Sequence, residues 1–329
     1  MQSKQLYDII IIGGGPIGLA CAIRAQQAGL SYLIIEKGCL VNSLYHYPQN
    51  MTFFSTSEKL EIGEVPFVST NPKPTRTEAL EYYRRVALKF EINIHLFEEV
   101  LALHQKENVY YLHTAKTVYQ SKNVILSTGF YDLPALMNIP GEEMNKVFHY
   151  YKDPHFFAMQ KVVVIGASNS SVDAALECHI KGAEVTMVVR GEDIGERVKY
   201  WVRPDIVNRI KEGSIKAWFN ASLKEINNQS VIISTPDGEI EIENHFVLAL
   251  TGYQPNFAFL KKMGITLSDD DKKYPQHNPQ TMETNKKGLY LAGVVCGGMD
   301  THLWFIENSR VHADMIIKHI LSKGVESSK

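Results

Sequence analysis

The chain has 329 residues, 45% of them hydrophobic and 21% charged, the values of a globular protein long enough for two domains of ordinary size. Its formal net charge of −2 offers no broad electrostatic footprint for nucleic acid or an anionic membrane surface, and no apolar run is long enough to span a bilayer. Residues 1–7 are polar and run straight into the first apolar segment, leaving no room for a signal peptide, so a cytoplasmic protein is expected.

Residues 9–12 read as a buried strand that breaks at Gly13-Gly14-Gly15-Pro16-Ile17-Gly18. A helical pattern follows, with Leu19, Ala22 and Ile23 on one face, and stops near Gly29. A second apolar strand, residues 32–35, ends in Glu36. Glycines 13, 15 and 18 thus have the G-x-G-x-x-G spacing between a strand and a helix. Gly13 permits the tight turn, Gly15 lets a pyrophosphate approach backbone that a Cβ would block, and Gly18 lets the helix pack close to the strand. The exposed amides at the start of the helix, around Pro16 and Ile17, are suited to phosphate. Glu36 is placed to accept hydrogen bonds from a ribose diol. A glycine-rich turn in some other α/β protein is the plain alternative, and the strand–turn–helix–strand–acid context weighs against it.

Lys37-Gly38-Cys39, Tyr45-His46-Tyr47-Pro48 and Phe53-Phe54 come next. Lys37, Tyr47 and Phe54 either flank a flat cofactor ring or pack as ordinary loop residues. Residues 77–90 read as an amphipathic helix with Thr77 as its N-cap. Residues 92–96 form a short strand. Residues 100–104, 109–113 and 117–120 form an antiparallel meander, and 123–126 a further buried strand ending in Ser127-Thr128-Gly129.

Residues 161–190 repeat the opening design: a strand, the turn Gly166-Ala167-Ser168-Asn169-Ser170-Ser171, a helix from 172 to 181, and a strand ending in Arg190. Ser168 and Ser171 stand where the second and third glycines stood, and a serine is small and able to donate its hydroxyl to a phosphate. Glu36 repels a ribose 2′-phosphate, whereas Arg190 attracts one bidentately. The first unit therefore reads as a site for a cofactor with a free ribose diol and the second as a site for NADPH, with a solvated surface charge as the alternative for Arg190. Strands are expected over 215–219, 230–234, 239–242 and 246–250, closing at Thr251-Gly252, then over 289–292 before Gly293, with one long helix over 300–322. The expected fold is α/β, with two Rossmann-like (three-layer ββα) dinucleotide-binding domains, each with a β-meander insertion.

The four cysteines are Cys21, Cys39, Cys178 and Cys296. None forms a C-x-x-C pair, so neither a thioredoxin-type dithiol nor a zinc ribbon is visible, and no metal site is expected. Cys21 and Cys178 fall in helices as small apolar residues.

Two Rossmann-type units, each closed by a T-G segment, with a late strand, an Ala-Gly turn and a C-terminal helix, resemble the flavoproteins with two dinucleotide-binding domains. The compact size resembles the low-molecular-weight thioredoxin reductase branch. Phe53-Phe54-Ser55 through Ile62-Gly63, Lys146-Val147-Phe148-His149-Tyr150, Asn169-Ser170-Ser171-Val172-Asp173-Ala174-Ala175 and Phe305-Ile306-Glu307-Asn308 are similar to the bacillithiol disulfide reductase family, over essentially the whole chain. The resemblance implies FAD in a first domain of residues 1–130 and 285–329, NADPH in a second of residues 155–255, and inter-domain crossings and loops at 131–154 and 256–284. Gly13, Gly15 and Gly18 would hold the FAD pyrophosphate, Glu36 its ribose and the backbone of Val100 its adenine. Thr128 and Gly129 would line the cofactor, and Gly293 and Val294 would sit by the ribityl chain and the flavin. The helix from Asp300 would aim its positive end at the flavin, with His302 and Trp304 near the ring or packed in the core.

The implied reaction passes a hydride from NADPH to the flavin and two electrons on to a small disulfide such as bacillithiol disulfide. Three positions depart from the pattern. The thioredoxin reductase C-x-x-C is missing. Val294 stands where many of these flavoproteins have an aspartate, although the nearer family is also apolar there. Ile17 stands where the nearer family commonly has a cysteine. Cys296, three residues past Gly293, is then the candidate catalytic thiol, with a lowered pKa, or else a small residue tolerated in a crowded loop. Expected partners are a small-molecule disulfide or a redox carrier protein, with no nucleic acid and no membrane, and a homo-oligomer is compatible with the sequence. A ferredoxin–NADP-type reductase without thiol chemistry, a flavin monooxygenase and a non-catalytic flavin redox sensor remain as alternatives.

Overall fold

Four consecutive isoleucines, Ile9 to Ile12, form the centre of the first sheet. They lie in strand β1 (Leu6–Ile12), and three of them are wholly inaccessible. A strand flanked on both sides and covered on both faces reads as a continuous apolar run, and each such side chain contributes about 1.5–3 kcal/mol of burial. The computed structural model describes residues 5–326. It divides into two compact units: Met1–Tyr45, Thr52–Leu133 and Tyr253–Lys329 in one, His46–Met51 and Pro134–Gly252 in the other. The segment 256–284, expected as crossing and loops, is part of the first unit.

In the first unit β1 leads into helix α1 (Pro16–Gln27) and back to β2 (Tyr32–Ile35), parallel to β1 with Ile10 opposite Leu33. A short helix α2 (Asn42–His46) and helix α3 (Arg76–Lys89) precede β3 (Ile94–His95), which pairs with β2. Strands β4 (Val100–Lys106) and β5 (Val109–Thr114) make an antiparallel meander with β6 (Val118–Leu126). The N-cap of α3 is Thr75 and not Thr77: its hydroxyl accepts the Glu78 N–H, and the Glu78 carboxylate accepts the Thr75 N–H at 2.7 Å, a reciprocal box.

Strand β6 joins what the sequence divides in two. Its first half pairs with β5, its last three residues pair in parallel with Leu289–Leu291, and its residues from Gln120 to Leu126 pair with β1. The polar pair Ser121-Lys122 resembles a break but is accommodated inside the strand. Ser121 is buried and donates to the Asn123 carbonyl at 2.6 Å, and the Lys122 ammonium lies 2.8 Å from Asp8.

The second unit has an all-parallel sheet in the order Lys216–Trp218, Glu184–Val188, Lys161–Ile165, Phe246–Ala249, Val147–Phe148. Beside it lies an antiparallel meander of Ser222–Ile226, Ser230–Thr235 and Gly238–Glu243. The first of these strands was not expected; only Leu223 and Ile226 mark it, and both are buried. The helix after the second glycine turn starts at Asn169, three residues earlier than its apolar pattern suggests, because Ser168 already occupies the N-cap. Ala174, Ala175 and Cys178 press it onto Val162, Val164 and Met187.

The single helix expected over 300–322 is broken. A 3-10 turn, Gly293–Gly297, is followed by a short helix, Ile306–Ser309, and the long helix is His312–Glu326. Asp300 caps nothing; its carboxylate is held by Lys272 and the Tyr274 hydroxyl. Asn308 adds a stop by accepting the Phe305 N–H and donating to the Leu303 carbonyl.

Candidate functional site

The first glycine turn is built by contacts that leave one face open. Gly13 has φ +108°, and a Cβ there would lie 2.6 Å from the Ser127 carbonyl oxygen. A Cβ on Gly18 would lie 2.0 Å from the Gly13 oxygen, so α1 packs on the turn with no room for a side chain. A Cβ on Gly15 would meet nothing, and Gly15 is the N-cap of α1 with no side chain capping the amides that follow; Pro16 takes the first helical position. An uncapped helix start beside open space fits a pyrophosphate. Ser127, which the sequence marks only as the end of a strand, closes the turn by donating to the Ile12 and Gly13 carbonyls at 3.2 and 3.0 Å.

Glu36 is buried at the end of β2. One carboxylate oxygen accepts the Gly14 N–H at 2.6 Å and the other the Gly38 N–H at 2.8 Å. Burial raises its pKa, while the two amides favour the charged form. Glu36 therefore ties the turn to the strand end. The chain past Glu36 is zipped to the approach to β4: Phe97 donates to Gly38 O and Glu98 to Glu36 O, bringing buried Val100 alongside. Lys37 pairs with Asp132 at 2.6 Å. Phe54 is 57% exposed, with the Lys73 ammonium 5.5 Å above its ring. Tyr47 lies in the segment His46–Met51, which packs with the second unit, where Gln49 N donates to Lys152 O and Asn50 to Glu177.

Gly293 (φ +84°) starts the 3-10 turn, and a Cβ there would lie 3.3 Å from Ile17. Ile17 thus fills, with a methyl-bearing side chain, the space against Gly293. Thr128 and Gly129 (φ +71°) follow β6, and Val294 is half-buried. His312, unmarked in the sequence, accepts the Gly293 N–H on Nδ1 at 3.1 Å and is almost wholly buried. Burial, with a smaller contribution from His277, lowers its pKa to about 4. Trp304 is half-buried and packs edge-on against the His312 ring, while His302 is exposed.

Cys296 requires correction. It is 2% exposed, and desolvation pushes its thiol well up, the opposite of the activated thiolate expected. Cys21 and Cys178 are likewise buried and pushed up to about 12, and half-buried Cys39, whose thiol donates to Asn42, is raised too.

In the second unit Gly166 has φ +121°, and a Cβ would lie 2.8 Å from Leu250 O. Ser171 is buried and its hydroxyl is spent within the turn, accepting Ser168 N–H and donating to Ser168 O, so it is not the phosphate donor expected. Ser168, Ser170 and Arg190 are exposed. Asn169 turns away to the following loop, bonding the backbone at Arg197 and Lys199. Arg197 is a further exposed guanidinium at this end of the sheet.

The chain matches the model of the pyridine nucleotide-disulphide oxidoreductase family over residues 10–293. It is 43% identical to the bacilliredoxin reductase Bdr of Bacillus subtilis (strain 168), over 95% of this chain and 97% of that one. The solved bacillithiol disulfide reductase Bdr (YpdA) of Bacillus cereus superposes with a TM-score of 0.94 at 42% identity, covering 97% of this chain and 100% of its own. A thioredoxin reductase from T. acidophilum shares the fold, with a TM-score of 0.76 at 20% identity over 98% and 100% of the two chains.

Proposed function

Since the chain belongs to the pyridine nucleotide-disulphide oxidoreductase family, we propose that it is an NADPH-dependent reductase of a small-molecule disulfide, with bacillithiol disulfide as the expected substrate. It is an oxidoreductase of FAD and NADPH with the thioredoxin-reductase-like fold. Bound FAD supplies a two-electron relay between the nicotinamide and the disulfide. The observation that carries the assignment of the two nucleotides is the contrast at the strand ends: a buried carboxylate, Glu36, beside the first glycine turn and an exposed guanidinium, Arg190, beside the second.

In this reading Gly15, Ile17 and Gly18 present backbone amides to the pyrophosphate, Gly13 and Pro16 shape the turn that aims them, and Glu36 selects a ribose diol while holding the turn closed. Lys37, exposed just past the same strand end, exposed Phe54, and Val100, Thr128, Gly129, Gly293 and Val294 line the same cofactor. Gly166, Ser168, Ser170 and Arg190 receive NADPH, with Arg197 as a second phosphate ligand. The reaction is set in the cytoplasm, where nicotinamide nucleotides are available; among the described residues no helix is long and apolar enough to cross a membrane.

The state of the cysteines favours one modification of the scheme. With the thiols raised and three of the four buried, disulfide reduction proceeds without an enzyme thiolate. The same feature supports a second reading, a ferredoxin-type carrier–NADP reductase. The test is anaerobic: the FAD-loaded protein is mixed with NADPH, then with bacillithiol disulfide or ferredoxin, and the flavin absorbance is followed. Reoxidation by the disulfide, within about twofold in Cys296→Ser, is expected. Reoxidation by ferredoxin alone would overturn the disulfide assignment, and loss of disulfide turnover in Cys296→Ser would restore that thiol to the mechanism.

A further inference from the structure

We propose that Asn169 is a positioning residue for the nicotinamide nucleotide's 2′-phosphate. From the first turn of helix Asn169–Ile180 it fixes the loop 194–199, and with it Arg197, beside the second glycine turn. This rests on the reading of the second unit as the NADPH site.

The amide of Asn169 is used at both ends by one loop. Its Nδ2 donates to the Arg197 carbonyl at 3.2 Å, and its Oδ1 accepts the Lys199 N–H at 2.8 Å. Bonds of opposite polarity fix the orientation of the amide. One helical turn further on, Asp173 pairs with the Lys199 ammonium at 2.7 Å, and Lys199 is only 6% exposed. At the other end of the loop, Gly195 donates its N–H to Ala167 O at 2.9 Å, and a Cβ on Gly195 would lie 2.7 Å from that oxygen. The loop is thus fastened to the glycine turn at 195 and to the helix at 197 and 199. Arg197 has a fixed backbone and a side chain left in solvent.

The arginines themselves indicate what that side chain is for. Every other arginine in the chain apart from Arg190 is engaged by a carboxylate or a backbone carbonyl. Among the described residues Arg190 and Arg197 alone have neither. A guanidinium without a carboxylate, held near a phosphate turn, is matched to a dianionic phosphate ester. Asn169 has its amide committed to the loop, so its effect on the nucleotide passes through Arg197.

The test is calorimetric binding of NADP+ and NAD+ to the FAD-loaded full-length protein. Asn169→Ala is expected to weaken NADP+ about tenfold, the effect of losing two neutral hydrogen bonds that hold a ligand-binding loop, and to leave NAD+ unchanged. Arg197→Ala should weaken NADP+ at least as much, and the double variant should be no weaker than Arg197→Ala alone, since both act along one line. Asn169→Ser, which keeps a small polar residue at the helix start, should behave as the alanine variant does and replaces it if that variant does not fold. Equal losses for NADP+ and NAD+, or additive losses in the double variant, would overturn the proposal while leaving the NADPH assignment standing. A parent protein that binds NAD+ as tightly as NADP+ would instead sink the assignment and the proposal with it.

Discussion

His312 carries its proton on Nε2, because its Nδ1 accepts the Gly293 N–H. Burial, with a smaller contribution from His277, keeps the imidazole neutral in the folded protein down to a pKa of about 4, against an ordinary 6.5. The unfolded chain takes up the proton first as the pH falls. The stabilisation from neutral His312 is therefore complete above about pH 6.5 and is lost progressively toward pH 4. Replacing it with glutamine, which has no such titration, is expected to flatten part of the acid loss of stability in that window, read as urea midpoints at several pH values. Residues of this kind leave no trace in a local pattern. Gly13, Gly15 and Gly18 are legible because the demand on them is set by neighbours in the chain. Ser127 and His312 are chosen by atoms more than a hundred and about twenty residues away, respectively, and Cys296 looked reactive only because its burial is invisible in sequence.

Helix α3 shows how far an element can be read from composition. Its amphipathic run is plain, but two threonines, Thr75 and Thr77, compete for the cap, and only Thr75 has Glu78 three positions on to complete the box. Thr75→Ala is expected to cost about 1 kcal/mol, measured by urea unfolding near neutral pH. The backbone N–H of Thr75 and its hydroxyl hold the Glu78 pKa below its usual value. The hydroxyl's share of this effect is present above the unfolded pKa of a glutamate and disappears as the pH falls through the lower folded one, so the gap between wild type and Thr75→Ala should narrow in acid to what the Glu78 N–H bond to the hydroxyl contributes. The helix Asn169–Ile180 carries a comparable signal that periodicity alone passes over. Asn169, Asp173 and Glu177 recur every four residues, and each grips a different group: the loop backbone at Lys199, the Lys199 ammonium, and the Tyr151 hydroxyl at 2.6 Å. A polar stripe on a helix that is otherwise small and apolar looks like a solvated face, and it becomes a fastening face only once the partners are known.

The repeat of the strand–turn–helix design is plain in the sequence, whereas the brief excursion of residues 46–51 into the second unit is not, since Gln49 and Asn50 meet partners far along the chain. The last half of β6 depends on Leu289–Leu291 for its outer neighbour. A chain cut after residue 284 should accordingly lose flavin retention and become protease-sensitive within 1–133, read by limited proteolysis and absorbance. Translation imposes this truncated condition on every copy. The ribosome delivers β1 and β6 early, then all of Pro134–Gly252, and only afterwards the strand that completes the first sheet. Each nascent polypeptide therefore holds Val124, Ile125 and Leu126 as an unfinished edge throughout the synthesis of the second unit, which makes this edge the place where a chaperone, or a neighbouring polysome, would first engage the newborn protein.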